Sequence, residues 1–120
     1  MKYYFTRKEL ECKHCGEYHF NKDTLLRLNS VREDVGFPMI VSSGYRCEEY
    51  NDQIGATQTH STGQAVDIAC ARGEAFAILK AALNNGFTGI GVSQKGNKRF
   101  LHLDDLTGTD RVLRSTLWSY

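Results

Sequence analysis

The sequence predicts an α+β domain with a small antiparallel or mixed sheet. Two long segments have helical periodicity. Several short, branched stretches bounded by glycines read as strands. Those strands cluster late in the chain with short connections, which disfavours the regular alternation of a parallel α/β fold.

The first helix is predicted over residues 21–36, "NKDTLLRLNSVREDVG". Leu25, Leu28, Val31 and Val35 recur at helical spacing, and Leu26 widens the apolar stripe. Asn21 or Asp23 can cap its start and Gly36 its end. "PMIVSSG", which carries the only proline, reads as a strand entering a glycine turn. "CEEYNDQIG" reads as a short helix stopping at Gly55. The polar loop "ATQTHSTGQ" follows, then "AVDIA", a strand by length and branching. Residues 72–86, "RGEAFAILKAALNNG", form an Ala-rich helix closed by Asn85 and Gly86. "FTGIGVS" is a strand containing glycines, "KGNK" a turn and "RFLHLDD" a strand. The tail from Leu106 is read as a loop ending in an aromatic patch at Trp118 and Tyr120.

A chain of 120 residues is expected to form one domain over residues 1–120. Its net charge of +1 gives no pull toward nucleic acid or an anionic membrane. No apolar window is long enough to insert into a bilayer. The start, "MKYYFTRKEL", lacks the apolar run of a signal peptide, so synthesis in the cytoplasm is expected. Cys12 and Cys15 form a CxxC in "ECKHCGEYH", half of a zinc site by spacing. A turn with two free thiols is the simpler reading, with Cys47 a residue that folding could bring near.

The polar residues in the strands carry more chemistry. Alternation in "AVDIA" sends Val66, Ile68 and Cys70 to one face and Asp67 with Ala69 to the other. In "RFLHLDD" it puts Phe100, His102 and Asp104 opposite Leu101 and Leu103. Gly63 lets the loop fold His60 back over the sheet. His60, Asp67 and His102 then form a candidate three-ligand set, with a fourth position left for water as a catalytic zinc requires. Each residue also has an ordinary reading: a solvated loop histidine, a salt-bridged strand aspartate, a half-buried histidine. Arg46, in "SSGYR", falls near the start of the short helix. It could hold a carboxylate or an oxyanion there, or pair with Glu48 or Glu49 on the surface.

"SSGYRCEEYNDQIGA", "THSTGQAVDI" and "FLHLDD", in that order, resemble the zinc D-Ala-D-Ala carboxypeptidase family, the M15 peptidases. The likeness is strongest to the small branch found in phage endolysins and bacterial murein endopeptidases. It covers nearly the whole chain. It implies a hedgehog/D-Ala-D-Ala-peptidase-like fold, with helices on one side of the sheet and zinc on the other. It further implies Zn2+ held by His60, Asp67 and His102. Arg46 would face the substrate carboxylate or the oxyanion, with Ser43 and Tyr45 beside it. The implied substrate is a peptide of bacterial peptidoglycan, cut next to a D-amino acid by a monomeric lytic enzyme. Such an enzyme acts at the cell wall or periplasm, and a phage holin would release it. Several members carry an acidic residue three positions before the second histidine, where this chain has Arg99. Asp104 is the local substitute as general base, or a partner that orients a histidine. Two other readings stand beside this one. One is a non-catalytic zinc-containing cell-wall-binding module on the same fold, as the related hedgehog domain illustrates. The other is a zinc-ribbon-like interaction protein built on Cys12 and Cys15.

Overall fold

The computed structural model describes residues 3–55, 59–108 and 113–120. Helix α1 (Arg7–Leu10) is a single turn with Thr6 and Glu9 capping it reciprocally. Helix α2 (Lys22–Val35) is capped by the Asn21 side chain, which accepts from the Thr24 N–H, and ends at Gly36 in the left-handed conformation. Strand β1 (Ile40–Ser43) and helix α3 (Glu48–Gln53) follow. A 3-10 turn (His60–Thr62) leads into β2 (Ala65–Ala69). Helix α4 (Arg72–Asn84), β3 (Gly89–Ser93), β4 (Phe100–Asp104) and β5 (Thr116–Ser119) complete the order.

The five strands form one mixed sheet in the order β1-β2-β4-β3-β5. β5 runs parallel to β3, and every other pairing is antiparallel. The expectation of a terminal loop is therefore corrected: residues 116–119 are an edge strand. Their backbone finds its partners on β3, beginning with the Thr116 N–H donating to the Thr88 carbonyl at 2.8 Å. The helix α1 and the 3-10 turn were likewise unmarked in the periodicity.

Helices α2 and α4 pack against one another and cover one face of the sheet. Leu28 and Val31 from α2 and Ile78 and Ala82 from α4 meet Val66, Ile68, Ile90, Leu101 and Leu103 from the strands. Each of these is essentially solvent-free. Burying one Leu- or Ile-sized side chain contributes about 1.5–3 kcal/mol, so this layer holds the sheet while leaving its other face for polar residues. No helix among the described residues is long and apolar enough to cross a membrane.

The second face is floored by small residues: Ala65 and Ala69 on β2, Gly89 and Gly91 on β3. The two glycines answer to close approach. A Cβ on Gly89 would lie 2.4 Å from Asp104 Oδ1 and 2.5 Å from Arg114 Nε. On Gly91 it would lie 2.6 Å from Trp118 Nε1. Side chains of β4 and β5 thus fill the space above β3.

Candidate metal centre

Asp67 and His102 stand directly opposite each other in the β2–β4 register. Alternation puts both on the face away from the helices, as the sequence pattern requires. His102 Nδ1 lies 3.2 Å from Asp67 Oδ1. The third residue, His60, sits on the 3-10 turn, with its Nε2 3.3 Å from the same oxygen. Gly63, with φ of 76°, ends that turn. A Cβ there would fall 2.0 Å from the His19 carbonyl oxygen, so only glycine lets the turn press against residues 19–21. The Asn21 N–H donates to the Gly63 carbonyl at 2.8 Å and fastens it there.

Both histidines are oriented from behind. His60 Nδ1 is 2.9 Å from the Gly44 carbonyl, to which it donates, so Nε2 is the nitrogen that faces Asp67 and would be the metal-binding one. His102 is fixed the other way round. Its Nε2 is 2.7 Å from Asp104 Oδ2, which leaves Nδ1 for the pocket. The ligand atoms of His60, Asp67 and His102 all lie within 4.8 Å of one another. Two imidazoles and a carboxylate, with each imidazole oriented by a second partner, match the donor chemistry of a zinc site.

Asp104 is fully buried and its carboxylate is saturated. Besides His102, it accepts from Arg114 Nε on Oδ1 and Arg114 Nη2 on Oδ2, both at 2.7 Å. Burial works to raise its pKa, but the hydrogen bonds of His102 and Arg114 outweigh that and hold it at about 2. The two alternatives for this residue therefore differ in fit. A general base must reach the pocket, and Asp104 lies behind His102, on the ring nitrogen turned away from it. Its geometry is that of a partner orienting the histidine.

Burial also opposes ionisation of Asp67, yet hydrogen bonds and charge from His102 and His60 hold its carboxyl well below the usual carboxylate range. For His102, burial favours the neutral ring, while Asp104 and Asp67 together raise its pKa. The two carboxylates thus reach this one imidazole from opposite sides, Asp67 at Nδ1 and Asp104 at Nε2.

Arg46 turns inward. Its Nη2 donates to Ser43 Oγ at 2.9 Å and its Nη1 to Asn51 Oδ1 at 3.0 Å. The guanidinium also lies 3.9 Å from Asp67 Oδ2. The surface pairing with Glu48 or Glu49 is not the arrangement found. Ser43, Tyr45 and Arg46 line a cavity of about 170 Å³ together with Lys13, Ser42, Tyr50 and Ile54. Arg99 is elsewhere, donating from Nε to the Gly96 carbonyl in the β3–β4 connection.

The opposite wall was missed in the sequence. The Trp118 ring sits 5.1 Å from the His102 ring, and Arg114 stacks 5.3 Å over the Trp118 ring. Tyr120 packs on Phe100. The signal that could have found these residues was the pair of glycines at alternate positions in β3, since glycine inside a strand marks a close neighbour.

The Peptidase M15 family model matches residues 3–104, which hold every one of the three candidate ligands and Arg46. The chain belongs to the Peptidase M15 family. Membership of this zinc-dependent peptidase family makes hydrolysis of a peptide bond the coarse activity. β5, with Trp118, lies outside the span matched by the M15 model, as does Arg114. No curated protein matches the chain.

Proposed function

We propose that this M15 protein is a zinc peptidase that cleaves peptides of bacterial peptidoglycan next to a D-amino acid. His60, Asp67 and His102 are assigned as the zinc ligands. The observation that carries the proposal is the convergence of their ligand atoms within 4.8 Å, beside an inward-turned arginine. Zinc held there would lower the pKa of a bound water and polarise the scissile carbonyl.

The chain's own residues divide the remaining work. Asp104, held by Arg114, keeps the proton of His102 on Nε2 and so keeps Nδ1 free. The Gly44 carbonyl does the same for His60 through Nδ1. Arg46 is held by Ser43 and Asn51 and carries a permanent positive charge. It receives either the substrate carboxylate or the oxyanion that develops at the carbonyl. Lys13 adds a second cation to the same cavity, which suits a peptide with a free carboxylate. Asp104 is a positioning residue on this reading.

The competing reading is a non-catalytic zinc module that binds cell wall. It is favoured by Arg99 standing where relatives carry an acid and by the saturation of Asp104. Digestion of purified peptidoglycan by zinc-loaded protein, with mass spectrometry of the released muropeptides, separates the two. Stem or cross-bridge products that disappear on chelation are expected. Stoichiometric zinc without any product would establish the binding module instead.

A further inference from the structure

A second cluster of soft ligands lies away from this centre. The sulfurs of Cys12, Cys15 and Cys47 all lie within 4.8 Å of one another. None of the three is in a disulfide. Cys12 and Cys15 belong to a tight loop closed at both ends. The Cys12 N–H donates to the Glu17 carbonyl at 2.8 Å, and the Gly16 N–H donates to the Cys12 carbonyl at 2.8 Å. Gly16 takes the left-handed conformation that lets the loop turn back. Cys47 arrives from far along the chain, as the residue preceding α3.

The backbone at Cys12 offers its sulfur a donor: the Cys47 N–H points at Cys12 Sγ from 3.4 Å. Charge-assisted bonds of this kind favour sulfur in its ionised, metal-binding form. We propose that Cys12, Cys15 and Cys47 bind a second zinc ion, a structural clip distinct from the His60–Asp67–His102 centre. Tetrahedral zinc with bonds of about 2.3 Å to sulfur sets the sulfurs about 3.8 Å apart. The observed cluster reaches that spacing with a small contraction. A solvent ligand on the side of exposed Cys15 completes four-coordination.

The clip has a mechanical consequence. Cys47 directly follows Arg46, and Lys13 lies between Cys12 and His14. Both cations line the same cavity. The intervening segment is already tied to the N-terminal loop by the Tyr45 N–H, which donates to the Leu10 carbonyl at 2.8 Å. Zinc held by the three thiolates would link these two segments through coordination bonds.

The test is metal stoichiometry, which does not depend on any peptidase activity. Protein purified with reductant and zinc should hold two equivalents by native mass spectrometry. C12S/C15S should hold one and D67A should hold one, each from the opposite centre. Cobalt replacement assigns them. Sulfur-to-cobalt charge-transfer absorption should persist in D67A and vanish in C12S/C15S. Cys15 is exposed, so C15S provides a milder variant expected to keep its near-ultraviolet circular dichroism while binding this metal at least tenfold more weakly. One equivalent in the wild-type protein that D67A loses and C12S/C15S retains, or no thiolate absorption in cobalt-loaded D67A, overturns the proposal. So does a Cys12–Cys15 disulfide persisting in reductant, detected as a mass lighter by two hydrogens.

Discussion

Replacing Arg114 by Met tests the polar relay behind the metal centre. Arg114 makes two 2.7 Å bonds to Asp104, and the side chains are 7% and 0% exposed. An exposed ion pair contributes about 0–1 kcal/mol. A buried charge stripped of its partner costs about 3–5 kcal/mol. The exposure selects the second regime. Met retains an apolar stem against Trp118, so the loss is one of charge more than of packing. His102 still donates to Asp104, which puts the expectation at the lower end, about 3 kcal/mol. That is a large share of a total stability of about 5–15 kcal/mol. Urea unfolding of metal-free protein, followed by the fluorescence of Trp118, reads the cost. The double variant D104N/R114M removes the stranded charge and should be more stable than R114M. A cost below about 1 kcal/mol, with no recovery in the double variant, would refute the reasoning.

Other perturbations address the remaining parts of the site. Asp67→Ala should abolish zinc retention at this centre, measured by equilibrium dialysis of a C12S/C15S background. Gly63→Ala should destabilise by at least about 1–3 kcal/mol and loosen zinc, because its Cβ meets the His19 carbonyl; an unchanged melting curve would disprove the clamp. Arg46→Lys keeps the charge but loses the fork held by Ser43 and Asn51, so kcat/KM should fall about 10²-fold with zinc content unchanged. Asp104 has a depressed folded pKa of about 2 against an ordinary value of about 3.9. Its stabilising contribution is therefore complete above about pH 4 and lost as pH falls toward about 2. D104N should flatten the stability of the metal-free protein across that window, measured by urea titrations at each pH.

The strands that carry Asp67 and His102, two of the candidate ligands, were legible because period-two alternation is local. "AVDIA" and "RFLHLDD" each declare an apolar row, so Asp67 and His102 had to share the opposite face once the strands paired. Helix α2 was equally legible, since Asn21 and Gly36 mark its ends in the sequence itself. The orientation of Arg46 was not, because Asn51 and Asp67 reach it from different elements. β5 escaped for a related reason. Four residues give too little alternation to read, and its parallel partner β3 is separated from it in the chain by all of β4. Arg114 as the partner of Asp104 depends on that same return of the chain. The convergence of Cys47 on the CxxC depends on the contact of residues 44–46 with Leu10 and His60. Such pairings are set by tertiary closure, and local pattern carries only their shadow, as in Gly89 and Gly91.

The three candidate ligands are not equally pre-organised. Asp67 and His102 are held at a separation imposed by sheet register, which exists whether or not metal is bound. His60 depends on a 3-10 turn held by the Gly44 carbonyl on one side and by residues 19–21 on the other. In the metal-free protein the buried Asp67 carboxylate finds its counter-charge in these histidines and in Arg46, 3.9 Å away. Zinc requires the histidine nitrogens facing Asp67 to be unprotonated, so its binding displaces any protons they hold. Affinity at this centre should therefore rise with pH as His102, whose pKa Asp104 and Asp67 raise against the effect of burial, gives up its proton. Arg46 cannot lose its charge in that range. On the proposed assignment, zinc at Asp67 would leave Arg46 and Lys13 as the cations of the adjoining cavity, a position suited to an incoming carboxylate.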